Sequence, residues 1–95
     1  MGSERRVVVT GIGVVSPAGS GLEPFWRGLQ TEPALRRVRS IEDFDASPWL
    51  SPKEQRHHDR FTHFAIAAAA MAVEHAGGLT DVDPHRAGCS IGTGI

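Results

Sequence analysis

Residues 51–78 constrain the chain most, because they carry their own helix start and stop. Ser51-Pro52-Lys53-Glu54 offers a capping serine, a proline at the first helical position and a glutamate at the third. That is the pattern of a capping box. Gly77-Gly78 can take the left-handed conformation that closes a helix. The pattern predicts one helix over residues 52–76. Lys53, Arg56, His57 and Arg60 fall at i, i+3, i+4 and i+7, and so on one face of it. Residues 64–73, FAIAAAAMAV, are apolar around the whole circumference and should be buried. The alanines there permit close approach to a sheet or another helix. The run is too short to cross a bilayer, which takes about 20 apolar residues.

Something must cover that helix, and the sequence offers candidates on either side. Val7, Val8 and Val9 are consecutive β-branched residues, so residues 6–10 read as a strand buried on both faces. Gly11 and Gly13 follow, and Ser16-Pro17 ends the apolar pair Val14-Val15. A first helix is predicted over 22–30, capped by Ser20 or Gly21. Leu22, Phe25, Trp26 and Leu29 form its apolar face, and Trp26 is expected to pack in a core. Residues 31–50 are irregular. Their basic run (Arg36, Arg37, Arg39) and acidic run (Glu42, Asp43, Asp45) read as a solvated loop, tacked to the core by Phe44, Trp49 and Leu50. Residues 86–91 read as a second buried strand. The order strand, helix, loop, helix, strand predicts a right-handed βαβ-type unit of an α/β protein. Two strands make no stable sheet alone, so the stretch reads as a piece of something larger.

With 95 residues, 40% of them hydrophobic, and a net charge of −1, the chain suits one globular unit with a thin core. The near-neutral balance gives no case for nucleic acid or for an anionic membrane. A single cysteine, Cys89, and a polar start without an apolar signal region suggest a cytoplasmic protein.

The opening VVVTGIGVVSPAGSG resembles the start of a dinucleotide site but departs from it. Gly11 and Gly13 fit the fingerprint, whereas Ser16 holds the third glycine position and Pro17 removes a backbone N–H. The later acids, Asp43 and Asp45, follow no second strand. No lysine completes a P-loop. Asp59 and His63 stand at i, i+4 without a third metal ligand of suitable spacing. Cys89 sits beside Ser90 among small residues, as nucleophiles often do. Yet it falls within the second predicted strand, where an unpaired cysteine is expected as a small core hydrophobe. The basic residues early in the second helix are the positive lead. Lysine and arginine suit a helix C-terminus better, so a role in docking an acidic partner competes with simple solubility.

Three stretches, RRVVVTGIGVVSPAGSGLEPFWRGL, DFDASPWLSPKEQRHHDRFTHFAIAAAAMAVEHAG and RAGCSIGTGI, resemble in order and approximate spacing the N-terminal part of the β-ketoacyl-acyl carrier protein synthases. The resemblance spans nearly the whole chain and places residues 1–95 within the N-terminal domain of that family's longer enzyme. It implies a thiolase-like αβαβα sandwich, dimeric with itself or with a related ketosynthase subunit, and no cofactor. It implies a decarboxylative Claisen condensation, with an acyl group held on a cysteine and two histidines assisting loss of CO₂. None of these groups matches a residue here. Cys89 aligns with a strand before a GTG-type loop, and His57, His58, His63, His75 and His85 match neither catalytic histidine. The resemblance therefore implies no condensation by this chain alone. Lys53 and Arg56 match positions that meet the acyl carrier protein, while His57 stands where a basic residue is common. The segment between the FD of residues 44–45 and Ser51 is shorter than usual in the family. A non-catalytic ketosynthase partner of the chain-length-factor type is the alternative, and a nucleotide-binding domain a distant third.

Overall fold

The computed structural model describes residues 4–31 and 38–94. Two strands, β1 (Val15–Ser16) and β2 (Gly19–Ser20), precede three helices, α1 (Leu22–Leu29), α2 (Pro52–His57) and α3 (Arg60–His75), and a 3-10 turn at Pro84–Arg86. Arg36 and Arg37 of the basic run lie outside the described residues.

The sheet is a tight antiparallel hairpin, with Val15 opposite Ser20 and Ser16 opposite Gly19. Its turn is Ser16-Pro17-Ala18-Gly19. Serine first, proline second and glycine fourth are the preferences of a type I turn. No non-glycine residue among those described has positive φ, so Ala18 does not adopt the type II conformation. The Ser16 hydroxyl locks the turn. It accepts from the backbone N–H of Ala18 (3.2 Å) and Gly19 (3.3 Å) and donates to the Gly19 carbonyl (3.0 Å). Gly21, with φ of 93°, then redirects the chain into α1 as its N-cap.

Helix α3 is the platform, and the two glycines of the opening motif are what seat the chain on it. A Cβ on Gly11 would strike the Ala72 carbonyl oxygen and the Ala76 nitrogen. One on Gly13 would strike the Ala68 carbonyl oxygen. Ala68, Ala72 and Ala76 are spaced at i, i+4 and i+8, so they form one small-residue stripe along the helix. The Ile12 N–H between the two glycines donates to Nδ1 of His75 at 2.9 Å. Helix α1 packs on the hairpin by the same device, since a Cβ on Gly28 would overlap the Ala18 carbonyl. The alanines thus do permit close approach, here to an extended glycine segment.

Several expectations are corrected. Residues 6–10 and 86–91 form no strands, and Val7 is 94% exposed. A strand needs a ladder partner, and none is available among the described residues. The βαβ crossover is accordingly not formed, although strands and helices do combine in a small α/β piece. The 52–76 helix is two helices. His58 (φ −126°, ψ 148°) and Asp59 (φ −74°, ψ 163°) are extended and separate α2 from α3. Trp26 is 62% exposed rather than in a core, because the hairpin covers only the side of α1 that carries Phe25 and Gly28. Of residues 64–73 only Ala67 is fully buried. The described core consists of Ala46, Leu50 and Ala67, with His63 beside them.

Both terminal signals of the 51–78 region hold. Ser51 Oγ accepts from the Glu54 N–H (3.2 Å), and Glu54 Oε1 accepts from the Ser51 N–H (3.1 Å). At the other end Gly78 N–H donates to Val73 O and Gly77 N–H to Glu74 O. With φ of 89° at Gly77, this is a Schellman motif.

Candidate functional site

The exposed end of α2 is where the sequence-predicted contact residues stand. Lys53 and Arg56 are exposed, one helical turn apart. Neither forms an ion pair or hydrogen bond with a described residue. Glu54, between them, is committed to the capping box. The backbone N–H of Ser51, and then its hydroxyl contact, hold the Glu54 carboxyl below the usual carboxylate range. Its charge is thus directed into the helix N-terminus, leaving the two cations outward.

Arg60 does not share this face, because the break at residues 58–59 puts it on a different helix. Its guanidinium lies 5.7 Å from the Phe44 ring centroid and 5.1 Å from that of Phe64. It donates to the Phe44 carbonyl (3.4 Å) and toward the Ile41 carbonyl (3.5 Å). Phe44 stacks on Trp49 at 5.9 Å and meets Phe64 edge-on at 5.3 Å. Phe44, Trp49 and Leu50 therefore tack the loop down as expected, and Arg60 is the clamp that residue spacing alone did not reveal.

A cavity of about 460 Å³ opens between the hairpin and residues 39–43, with Ser16, Ser20, Arg39, Ile41 and Asp43 in its wall. Glu42 also lines it, and no histidine or cysteine does among the described residues. Cys89 is exposed and outside any regular element, not buried in a strand, because the segment around it finds no sheet to join. His63, paired with Asp59 in the metal reading, has its Nε2 turned to the Gln55 carbonyl at 3.1 Å. Among the described residues no three metal-ligating side chains cluster, and no helix is long and apolar enough to cross a membrane.

No family model matches the chain. Individual proteins do. A 3-oxoacyl-[acyl-carrier-protein] synthase 2 of Synechocystis is 35% identical over 97% of this chain, and one of Rhizobium meliloti 40% identical over 96%. The oxytetracycline polyketide putative beta-ketoacyl synthase 1 of Streptomyces rimosus is 38% identical over 94%. Over nearly its whole length the chain is homologous to β-ketoacyl synthases. It spans about a quarter of these relatives: 26%, 27% and 24% of their lengths. The matched stretches run over 107, 114 and 105 positions, more than the 95 residues available, so the relatives carry residues that this chain lacks. In this ketosynthase stretch the glycines of the opening motif sit against α3 and the candidate carrier contacts sit on α2.

Proposed function

We propose that this chain is part of a β-ketoacyl-acyl carrier protein synthase, an acyltransferase of fatty-acid or polyketide synthesis. What carries the reading is the identity of 33–41%, across 94–98% of the chain, with synthases of both kinds. In the reaction an acyl group passes from a carrier-protein thioester to a cysteine thiol. Malonyl carrier protein then loses CO₂, and the resulting carbanion displaces the cysteine from the acyl carbon. The thiolase-like sandwich, a dimer with itself or with a related subunit, and a cytoplasmic setting belong to the same reading.

This stretch contributes framework and contact rather than chemistry. On this reading Cys89 has no nucleophilic role: it aligns with a strand rather than with the family's nucleophile run, and its exposed place outside any regular element among the described residues supports that. Lys53 and Arg56 are the proposed contacts for the acidic carrier protein. The test is an assay of the full-length protein with acyl and malonyl carrier protein, following CO₂ release and the β-ketoacyl product. Condensation supports the reading. Its absence alone, with recovery on adding a ketosynthase partner, would assign the non-catalytic subunit role. The 95-residue chain by itself is expected to give no product.

A further inference from the structure

His63 is the one charged or polar residue buried among those described, at 6% exposure. Its Nε2 faces the Gln55 carbonyl, which can only accept, so Nε2 carries the ring proton and donates. Nδ1 is buried with no hydrogen-bond partner. The Gln55 carbonyl lies in the last turn of α2, where helix carbonyls lack intrahelical partners. His63, eight residues on and in α3, supplies the missing donor across the break. The Gln55 side chain in turn donates to the carbonyl of buried Leu50 at 3.0 Å. The neutral imidazole thereby fastens α2 to the core.

We propose that His63 is a pH-sensitive latch that holds α2, with Lys53 and Arg56 on it, in place only while its ring is neutral. A second proton would go onto Nδ1, which is buried and has no hydrogen-bond partner. A buried charged donor without a partner is strongly disfavoured. Outward movement of the ring relieves it and releases the Gln55 carbonyl. Imidazole is the side chain whose ordinary titration falls between about pH 5 and 8.

The surrounding charges do not compensate. On α2 are Lys53, Glu54, Arg56 and His57; the connection carries His58 and Asp59; α3 itself carries Arg60 and, at its far end, Glu74 and His75; and the preceding loop carries Arg39, Glu42, Asp43 and Asp45. Glu54 is engaged by Ser51, Asp45 by Ser47, and Arg60 by the aromatic rings. None of them pairs with the His63 ring.

The inference concerns how α2 is held and stands whether or not the carrier-protein reading does. The experiment is hydrogen exchange of residues 52–58 in the full-length protein between pH ~8 and ~5, corrected for intrinsic exchange and referenced to α1. Wild type should lose protection several-fold on acidification. His63→Gln keeps an N–H donor for Gln55 and cannot titrate, so its protection should stay level. His63→Ala should be poorly protected throughout. An equal acid-dependent loss in His63→Gln, or none in wild type, overturns the proposal. Should the variants not fold, the ring ¹⁵N shifts of the wild type decide. A His63 ring that protonates with no change in α2 protection also overturns it.

Discussion

Gly13 lies against the backbone of Ala68 so closely that a Cβ on Gly13 would overlap the Ala68 carbonyl oxygen. The obstacle is main chain within a helix, which cannot swing aside. Gly13→Ala should therefore destabilise the protein by about 1–3 kcal/mol, the usual range for overpacking. Gly88→Ala is the control: it meets nothing within 4 Å and should be near neutral. Trimming the neighbour with Ala68→Gly should not rescue Gly13→Ala, because the carbonyl remains. Chemical denaturation of the three variants checks this, and rescue would mean that side chains rather than backbone set the contact.

Arg60 connects the loop at residues 41–44 to α3 through two rings and two carbonyls. Arg60→Ala removes all of them and should cost about 1 kcal/mol, as for exposed cation–π contacts. Arg60→Lys should recover only part, since an ammonium lacks the planar fork that reaches two carbonyls while lying on the rings. Loss of the clamp should also loosen Trp49, which stacks on Phe44. Trp49 fluorescence in a Trp26→Phe background reports this directly, and an unchanged spectrum would remove Arg60 from that role.

The capping box makes α2 sensitive to acid in a way separable from His63. Glu54 is held below the ordinary carboxylate range by Ser51. A carboxyl lowered in the folded state binds protons more readily in the unfolded chain. Its contribution is thus present at neutral pH and is lost as pH falls through the ordinary glutamate value of about 4.3 and below. Glu54→Gln should flatten this acid limb. Ser51→Ala should cost about 1 kcal/mol at neutral pH through loss of the cap. Denaturation midpoints measured from neutral pH downward distinguish the two, and an unaltered limb in Glu54→Gln would exclude the carboxylate.

What could be read from sequence follows the range of the interactions involved. The capping box at Ser51–Glu54 and the Schellman close at Gly77–Gly78 are local, and both hold. The hairpin turn was equally local: Ser16-Pro17-Ala18-Gly19 has type I preferences at three positions, and reading Ser16-Pro17 only as a terminator missed it. The break at residues 58–59 has no proline or glycine to announce it. Asp59 before Arg60 is an N-cap residue type, which is a weak signal. The break is held by contacts distant in sequence, His63 to Gln55 and Arg60 to Ile41 and Phe44. Residues 6–10 and 86–91 read as strands because they are β-branched or apolar, but pairing is a property of neighbours and no described segment pairs with them. Lys53 and Arg56 stand where their spacing places them, while Arg60 leaves their face because the helix does not continue.

The separation of Arg60 from Lys53 and Arg56 sharpens the last prediction. Of these three cations, Lys53 and Arg56 form no ion pair or hydrogen bond with a described residue, so they rather than Arg60 should control the approach of an acidic partner. Lys53→Glu with Arg56→Glu in the full-length synthase should weaken carrier-protein binding at low salt by about tenfold, ~1.4 kcal/mol. It should also flatten the salt dependence, since exposed charges act through a screened field. Arg60→Ala should leave the salt dependence as in wild type, because its charge is spent on rings and carbonyls within the chain. Binding measured at low and high salt for all three proteins checks this. If the double reversal binds at low salt as wild type does, the carrier protein docks elsewhere. If Arg60→Ala alone flattens the curve, the patch extends across the break and the α2 pair is not its centre.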